Sequence, residues 1–190
     1  MKKVILSFAL EAEFVPIQLK GCDIEYVFTG IGKAKAAMNI TQAILDENPE
    51  LVINVGTSGT LNHNVGDIFV CKRFIDRDFC TVKLPGVAYE LDFSDRLADC
   101  EITRNWISSD GSIGVCNTGD SFVTDAESHT TEGDVVDMEA FAQAVVCQKF
   151  NIPLIAVKYV TDVIGQNSVK HWEDKLEDAR KELGEWFSEK

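Results

Sequence analysis

Leu51-Val52-Ile53-Asn54-Val55-Gly56-Thr57-Ser58-Gly59 decides the fold. Leu51–Val55 is a short, nearly continuous apolar run, and a turn bounded by two glycines follows it. Such a run reads as a strand buried on both faces, the pattern of a sheet covered by helices on either side. Val4–Ala9, Ile68–Cys71, Ile113–Cys116 and Leu154–Val160 read the same way, and Ile24–Phe28 is a further short strand. Helical patterns lie between them. Lys33–Asp46 carries Ala36, Ala37, Ile40, Ala43 and Ile44 at helical spacing. Met138–Phe150 is rich in Ala, Val and Gln, with Pro153 soon after. Val169–Ser188 is amphipathic, with Trp172, Leu176, Ala179, Leu183, Trp186 and Phe187 on its apolar side. The alternation predicts an α/β fold: one domain over residues 1–190, with a central mixed, largely parallel sheet flanked by helices. Pro85 and Gly86 mark a loop or edge hairpin, and Asp92 to Gly111 is the least regular stretch.

In such sheets, ligands bind beyond the C-terminal ends of strands. Applied here, that rule gathers Glu11 and Glu13, Gly30-Ile31-Gly32, Gly56-Thr57-Ser58-Gly59, Asn117-Thr118-Gly119-Asp120 and Thr161-Asp162 on one rim. Each segment alone has a plainer reading. Glu11 and Glu13 suit the positive end of a helix dipole. Gly30-Ile31-Gly32 is no dinucleotide fingerprint, because position 35 is Lys. Glycine turns after strands are common, and Asp162 could be an ordinary helix cap. Glu139 is more pointed. It stands near the start of a largely apolar helix, where a carboxylate needs a partner or a ligand.

Taken together and in order, these segments are more specific. Ala9-Leu10-Glu11-Ala12-Glu13, Thr29-Gly30-Ile31-Gly32-Lys33, Ile53-Asn54-Val55-Gly56-Thr57-Ser58-Gly59, Val65-Gly66-Asp67-Ile68, Thr118-Gly119-Asp120-Ser121-Phe122-Val123, Val136-Asp137-Met138-Glu139-Ala140 and Tyr159-Val160-Thr161-Asp162 resemble the nucleoside phosphorylase/nucleosidase superfamily. Within it they are most similar to the 5′-methylthioadenosine/S-adenosylhomocysteine nucleosidases, through nearly the whole chain. The resemblance implies hydrolysis of the N-glycosidic bond of a purine nucleoside to free base and sugar. It implies that Asp162 protonates N7 of the leaving purine, assisted by Thr161, and that Glu13 positions and deprotonates the attacking water. Glu139 and Met138 would hold the ribose, with the carboxylate accepting from the 2′-hydroxyl. Phe122 would stack on the base, the Val123 backbone would read its edge, Thr57 would sit near Asp162 and the base, and Trp172 would close the pocket.

The chemistry asks for the same groups. An oxocarbenium-like sugar is stabilised by nearby carboxylates. A purine departs readily only if protonated, which calls for a carboxylic acid in a partly buried setting. Two carboxylates in different environments can divide acid and base roles, as in glycoside hydrolysis. The chain also departs from the family. It is short, with reduced segments between Phe14 and Phe28 and between Gly66 and Gly119. Leu10 replaces a methionine, and Thr57-Ser58 replaces Ser-Ala. Three alternatives stand beside the nucleosidase reading: a phosphate-dependent phosphorylase, a futalosine hydrolase, and a catalytically silent nucleoside-binding relative.

Bulk properties bound the partners. The 190 residues carry a net charge of −13, with Lys and Arg scattered. That disfavours nucleic acid and anionic membrane surfaces as partners; the partner that the resemblance implies is a small-molecule nucleoside. The six cysteines form no C-x-x-C pair, and three of them sit in apolar runs, which points to a reducing, cytoplasmic setting. His63, His129 and His171 lack metal-ligand spacing, so no metal or other cofactor is expected. Met1-Lys2-Lys3 and Val4–Leu10 imitate a signal peptide, but Glu11 and Glu13 interrupt it, so the run is read as a buried first strand. Apolar residues crowd Phe79–Phe93, which predicts a homodimer interface.

Overall fold

The computed structural model describes the whole chain except residues 81, 83, 109–111, 125–131 and 167, and except the side chains of residues 107, 108, 112, 168, 169 and 171. The strands in chain order are β1 (Lys2–Phe8), β2 (Cys22–Phe28), β3 (Leu51–Thr60), β4 (Ile68–Asp76), β5 (Glu90–Asp92), β6 (Ser112–Thr118), β7 (Val135–Asp137) and β8 (Leu154–Val163). The helices are α1 (Lys33–Glu47), α2 (Arg77–Cys80), α3 (Ser94–Ala98), α4 (Arg104–Ser108), α5 (Ala140–Phe150) and α6 (Ser168–Ser188), with a 3-10 turn over Glu11–Glu13.

The sheet is mixed and largely parallel, as expected. β2 pairs with β1, β1 with β3, β3 with β8, β4 with β6 and β6 with β7, all parallel. β4 runs antiparallel to β8 and to β5. One antiparallel bridge, Gly59 to Val136, joins β7 back to β3. β3, β8, β4, β6 and β7 thereby close on themselves, and β1 and β2 extend the sheet beyond β3. Closure brings the C-terminal ends of β3, β8 and β7 to one place.

The core fills the sheet faces. Val4 to Phe8, Leu51 to Ile53 and Leu154 to Val157 are fully buried, which is why these runs show no polar alternation. α1 packs against α5, and α6 lies along β8 and β3. Ala179, Leu183 and Phe187 of α6 are buried, and Trp106 packs edge-on against Trp186 and Phe187. Among the described residues no helix is long and apolar enough to cross a membrane.

Three expectations are corrected. Gly56-Thr57-Ser58-Gly59 is strand, not turn: β3 continues to Thr60 because β8 pairs with it throughout, with a register shift at Ser58/Gly59. The irregular stretch from Asp92 onward contains α3 and α4, and Leu97 and Trp106 anchor it in the core. Leu91 and Phe93 are also buried in this chain's own core, so only Phe79, Val82, Leu84 and Val87 of the expected interface patch are exposed large apolar side chains. Of that patch, Thr81 and Lys83 lie outside the described residues.

Candidate active site

Glu13, Thr57, Phe122, Val123, Met138, Glu139, Asp162 and Trp172 line one cavity of about 350 Å³. Thr161 stands just behind it and donates a hydrogen bond to Asp162 Oδ1 at 2.9 Å. All nine residues singled out from the sequence are therefore brought together. Of the histidines, His129 and the side chain of His171 lie outside the described residues, and His63 Nε2 is 3.0 Å from Asp134 Oδ1, with neither residue lining the cavity.

Glu13 leaves the end of β1 in the 3-10 turn and is 5% exposed. Its Oε1 accepts from the Thr57 amide at 2.9 Å and from the Thr57 hydroxyl at 2.6 Å. Its Oε2 accepts a longer bond, 3.3 Å, from the Leu10 amide. The glycines of β3 have a steric purpose here. A Cβ on Gly56 would lie 3.2 Å from Glu13 Oε1, and one on Gly59 would lie 3.1 Å from Asp162 Oδ2. Each lets a carboxylate lie against the strand where a side chain would push it away.

Asp162, near the end of β8, is 2% exposed. The register shift at Ser58/Gly59 sets it opposite Gly59, so its carboxylate faces the same cavity as Glu13.

Glu139 immediately precedes α5 and is 6% exposed. Its Oε1 accepts from the Gly32 amide at 2.9 Å. Gly32 has φ of 93°, a conformation that suits glycine, and begins α1. The next amide, Lys33, donates to Asp120 Oδ1 at 2.7 Å. Two orphan N–H groups of α1 thus bind the carboxylates of two different loops, in the favourable direction of the helix dipole. Burial, followed by the Asp137 carboxylate, pushes Glu139 up to about 7, against the pull of Lys158 and of the Gly32 amide.

Beneath Glu139 lies an ion pair that the sequence reading did not single out. Lys158 Nζ is 2.8 Å from Asp137 Oδ2, and the two side chains are 3% and 1% exposed. Asp137 also accepts from the Ala140 amide at 2.9 Å, capping α5, and from the Thr118 hydroxyl at 2.5 Å. Burial opposes both charges, yet each outweighs it for the other: Lys158 is held above the usual ammonium range and Asp137 below the usual carboxylate range. The signal was present as a lysine inside Leu154–Val160, a run read as buried on both faces; a charge there needs a partner. Arg77 was missed as well. Its buried guanidinium donates to Asn117 Oδ1 at 3.1 Å and to the Ser121 carbonyl at 2.8 Å, fastening the segment that carries Phe122 and Val123. Gly119 makes room for it, since a Cβ there would lie 2.7 Å from the guanidinium carbon.

The cavity wall is otherwise apolar, with Ala9, Leu10, Ile31, Val136 and Ile164 beside Phe122, Met138 and Trp172. Its titratable lining is wholly acidic among the described residues: Glu13, Asp137, Glu139 and Asp162. Such a site can hold an aromatic base and surround a neighbouring group with negative charge and hydrogen-bond acceptors.

A family model described as Phosphorylase superfamily matches residues 8–186. A 5′-methylthioadenosine/S-adenosylhomocysteine nucleosidase of Bacillus thuringiensis subsp. konkukian is 28% identical over 186 residues, covering 88% of this chain and 80% of the relative. Among solved structures, the 5′-methylthioadenosine/S-adenosylhomocysteine nucleosidase of Neisseria meningitidis in complex with methylthio-immucillin-A superposes with a TM-score of 0.80 at 22% identity, covering 97% of this chain and 96% of that one. The futalosine hydrolase of Helicobacter pylori gives 0.78 at 19% identity, covering 98% and 96%. Both likenesses are of fold.

Proposed function

This chain belongs to the phosphorylase superfamily, and we propose that within it the chain is a hydrolase: a single nucleosidase-like domain over residues 1–190 that cleaves the N-glycosidic bond of a purine nucleoside with water. The observation that carries this reading is the charge of the cavity. Its lining holds four carboxylates and, among the described residues, no lysine, arginine or histidine. Phosphate in such a partly desolvated cavity would meet carboxylates and no lining cation, since the nearby Lys158 is paired with Asp137. A sugar that becomes cationic as its bond to the base breaks would meet the opposite charge.

The residues divide the work by position. Phe122 and Trp172 offer faces for the base. Asp162, with the Thr161 hydroxyl on its Oδ1, delivers a proton to N7 as the base leaves. Glu139 and Met138 hold the ribose. Glu13 takes a proton from the attacking water, and Oε2 is the less committed oxygen, because it accepts one longer bond whereas Oε1 accepts two shorter ones. The substrate class is 5′-methylthioadenosine or S-adenosylhomocysteine, as the names of the sequence relatives suggest.

Exposed Phe79, Val82, Leu84 and Val87 support a homodimer formed through that segment. The six free cysteines support a reducing, cytoplasmic location. A panel of 5′-methylthioadenosine, S-adenosylhomocysteine, adenosine, inosine and futalosine, with and without phosphate, tests the function by release of free base. Release from the methylthio and homocysteinyl nucleosides without phosphate is expected. Release only with phosphate would make the chain a phosphorylase, and preference for futalosine would move it to that hydrolase class.

A further inference from the structure

Trp172 does more than cover the cavity. Its indole Nε1–H donates to Thr57 Oγ1 at 2.9 Å, and the same hydroxyl lies 2.6 Å from Glu13 Oε1. The direction of the hydrogens in this chain is fixed by its two ends. An indole N–H can only donate, and an ionised carboxylate can only accept. The single Thr57 proton must therefore point at Glu13, with a hydroxyl lone pair turned to Trp172. The Thr57 amide adds a second bond to the same carboxylate oxygen at 2.9 Å. Glu13 is thus pinned through Oε1, and Oε2, held only by the longer 3.3 Å bond from the Leu10 amide, is the oxygen left with room for another partner.

We propose that Trp172 is a positioning residue for Glu13, acting through the Thr57 hydroxyl. One hydrogen-bonded chain then sets both the wall over the base and the carboxylate that activates water. The inference rests on the hydrolase reading, in which Glu13 takes a proton from water. Trp172 lies in the first turns of α6, a helix held to the sheet by Ala179, Leu183 and Phe187 further along. The bond from Trp172 to Thr57 therefore ties the near end of α6 to β3 at the water-activating site. A donor bond to the hydroxyl also polarises it, strengthening the bond it makes in turn.

Trp172→Phe separates the two roles, because it keeps an aromatic wall and removes the N–H. The expected result is kcat lower by about 3- to 10-fold, the size of one neutral hydrogen bond, with KM within about twofold. Trp172→Leu removes the wall as well and should raise KM besides. Thr57→Val breaks both links, and Thr57→Ser, which keeps the hydroxyl, should be faster than it. In the Thr57→Val background, adding Trp172→Phe should lower kcat by less than about twofold, because residues in one hydrogen-bonded chain are not additive.

The bond itself is read without turnover. The indole N–H resonance that disappears in Trp172→Phe should shift and exchange faster with water in Thr57→Val. A native protein that leaves every nucleoside intact would refute the hydrolase reading, and it needs no variant to show this. The positioning role is overturned in an active enzyme if the two substitutions are additive in kcat, if Trp172→Phe raises KM alone, or if the indole resonance ignores Thr57→Val.

Discussion

Lys158→Met removes one charge from the driest ion pair among the described residues and leaves the length of the side chain nearly unchanged. Asp137 would then lie 1% exposed without its salt-bridge partner, with the Arg77 guanidinium as the remaining nearby positive charge. Breaking a buried pair from one side costs about 3–5 kcal/mol, a large part of the roughly 5–15 kcal/mol that holds a domain folded. The pH dependence follows from the sign of the native shift. Lys158 holds Asp137 below the usual carboxylate range, which gives stability present at neutral pH and lost as pH falls. Without the lysine, burial raises Asp137 instead, and acid relieves the variant by protonating it. The gap between native and variant should be widest near pH 7 and narrow toward pH 4. Urea unfolding followed by tryptophan fluorescence measures it. Adding Asp137→Asn should recover part of the loss by removing the stranded charge. Glu139 gives a second readout. Lys158 is one of the groups that keep its raised value down at about 7, so the variant should need a higher pH to ionise Glu139 and discriminate ribose from 2′-deoxyribose. A loss below about 1 kcal/mol at pH 7, or one that does not change with pH, would refute the view that this pair is charged and dry.

Asp162→Asn keeps the shape but carries no transferable proton. Nucleoside cleavage should fall at least about a hundredfold, the lower end for general acid catalysis, while binding measured by calorimetry survives better. A carboxylate that accepts from the 2′-hydroxyl makes a charge-assisted bond, so ribonucleosides should be cleaved faster than 2′-deoxyribonucleosides. That preference should grow as pH rises through about 7, where Glu139 ionises, and Glu139→Gln should flatten it. For assembly, light scattering at micromolar concentration should give the mass of a dimer, and Val82→Asp, on a side chain 55% exposed, should shift it toward monomer.

Much of the fold was legible because its strands are buried on both faces. Val4 to Phe8 and Leu154 to Val157 have no solvent side, so their sequences are apolar runs interrupted only by the buried Ser7. What was missed lies where length or pairing outweighs pattern. β5 and β7 have three residues each, too few for any periodicity. Gly56 and Gly59 read as turn residues, yet their strand is held by β8 along its whole length, and their missing Cβ atoms make room for Glu13 and Asp162. At the site, Glu13, Glu139 and Asp162 were legible as acidic groups after strands and before an apolar helix. Arg77 was not, because its partners, Asn117, Ser121 and Asp137, are distant in sequence and meet it mainly through carbonyl oxygens. Trp172 read as a wall, since nothing in its helical spacing shows that the indole N–H reaches Thr57.

The central claim is that water, not phosphate, receives the sugar, with Glu13 as its base. The most direct measurement follows 5′-methylthioadenosine cleavage by the native chain and by Glu13→Gln, in phosphate-free buffer and in phosphate, and identifies both products. The native chain should release free base and free sugar at the same rate in both buffers, and Glu13→Gln should bind the nucleoside but scarcely turn it over. Base release that requires phosphate and yields a sugar 1-phosphate, or a Glu13→Gln variant that turns over normally, would contradict the account.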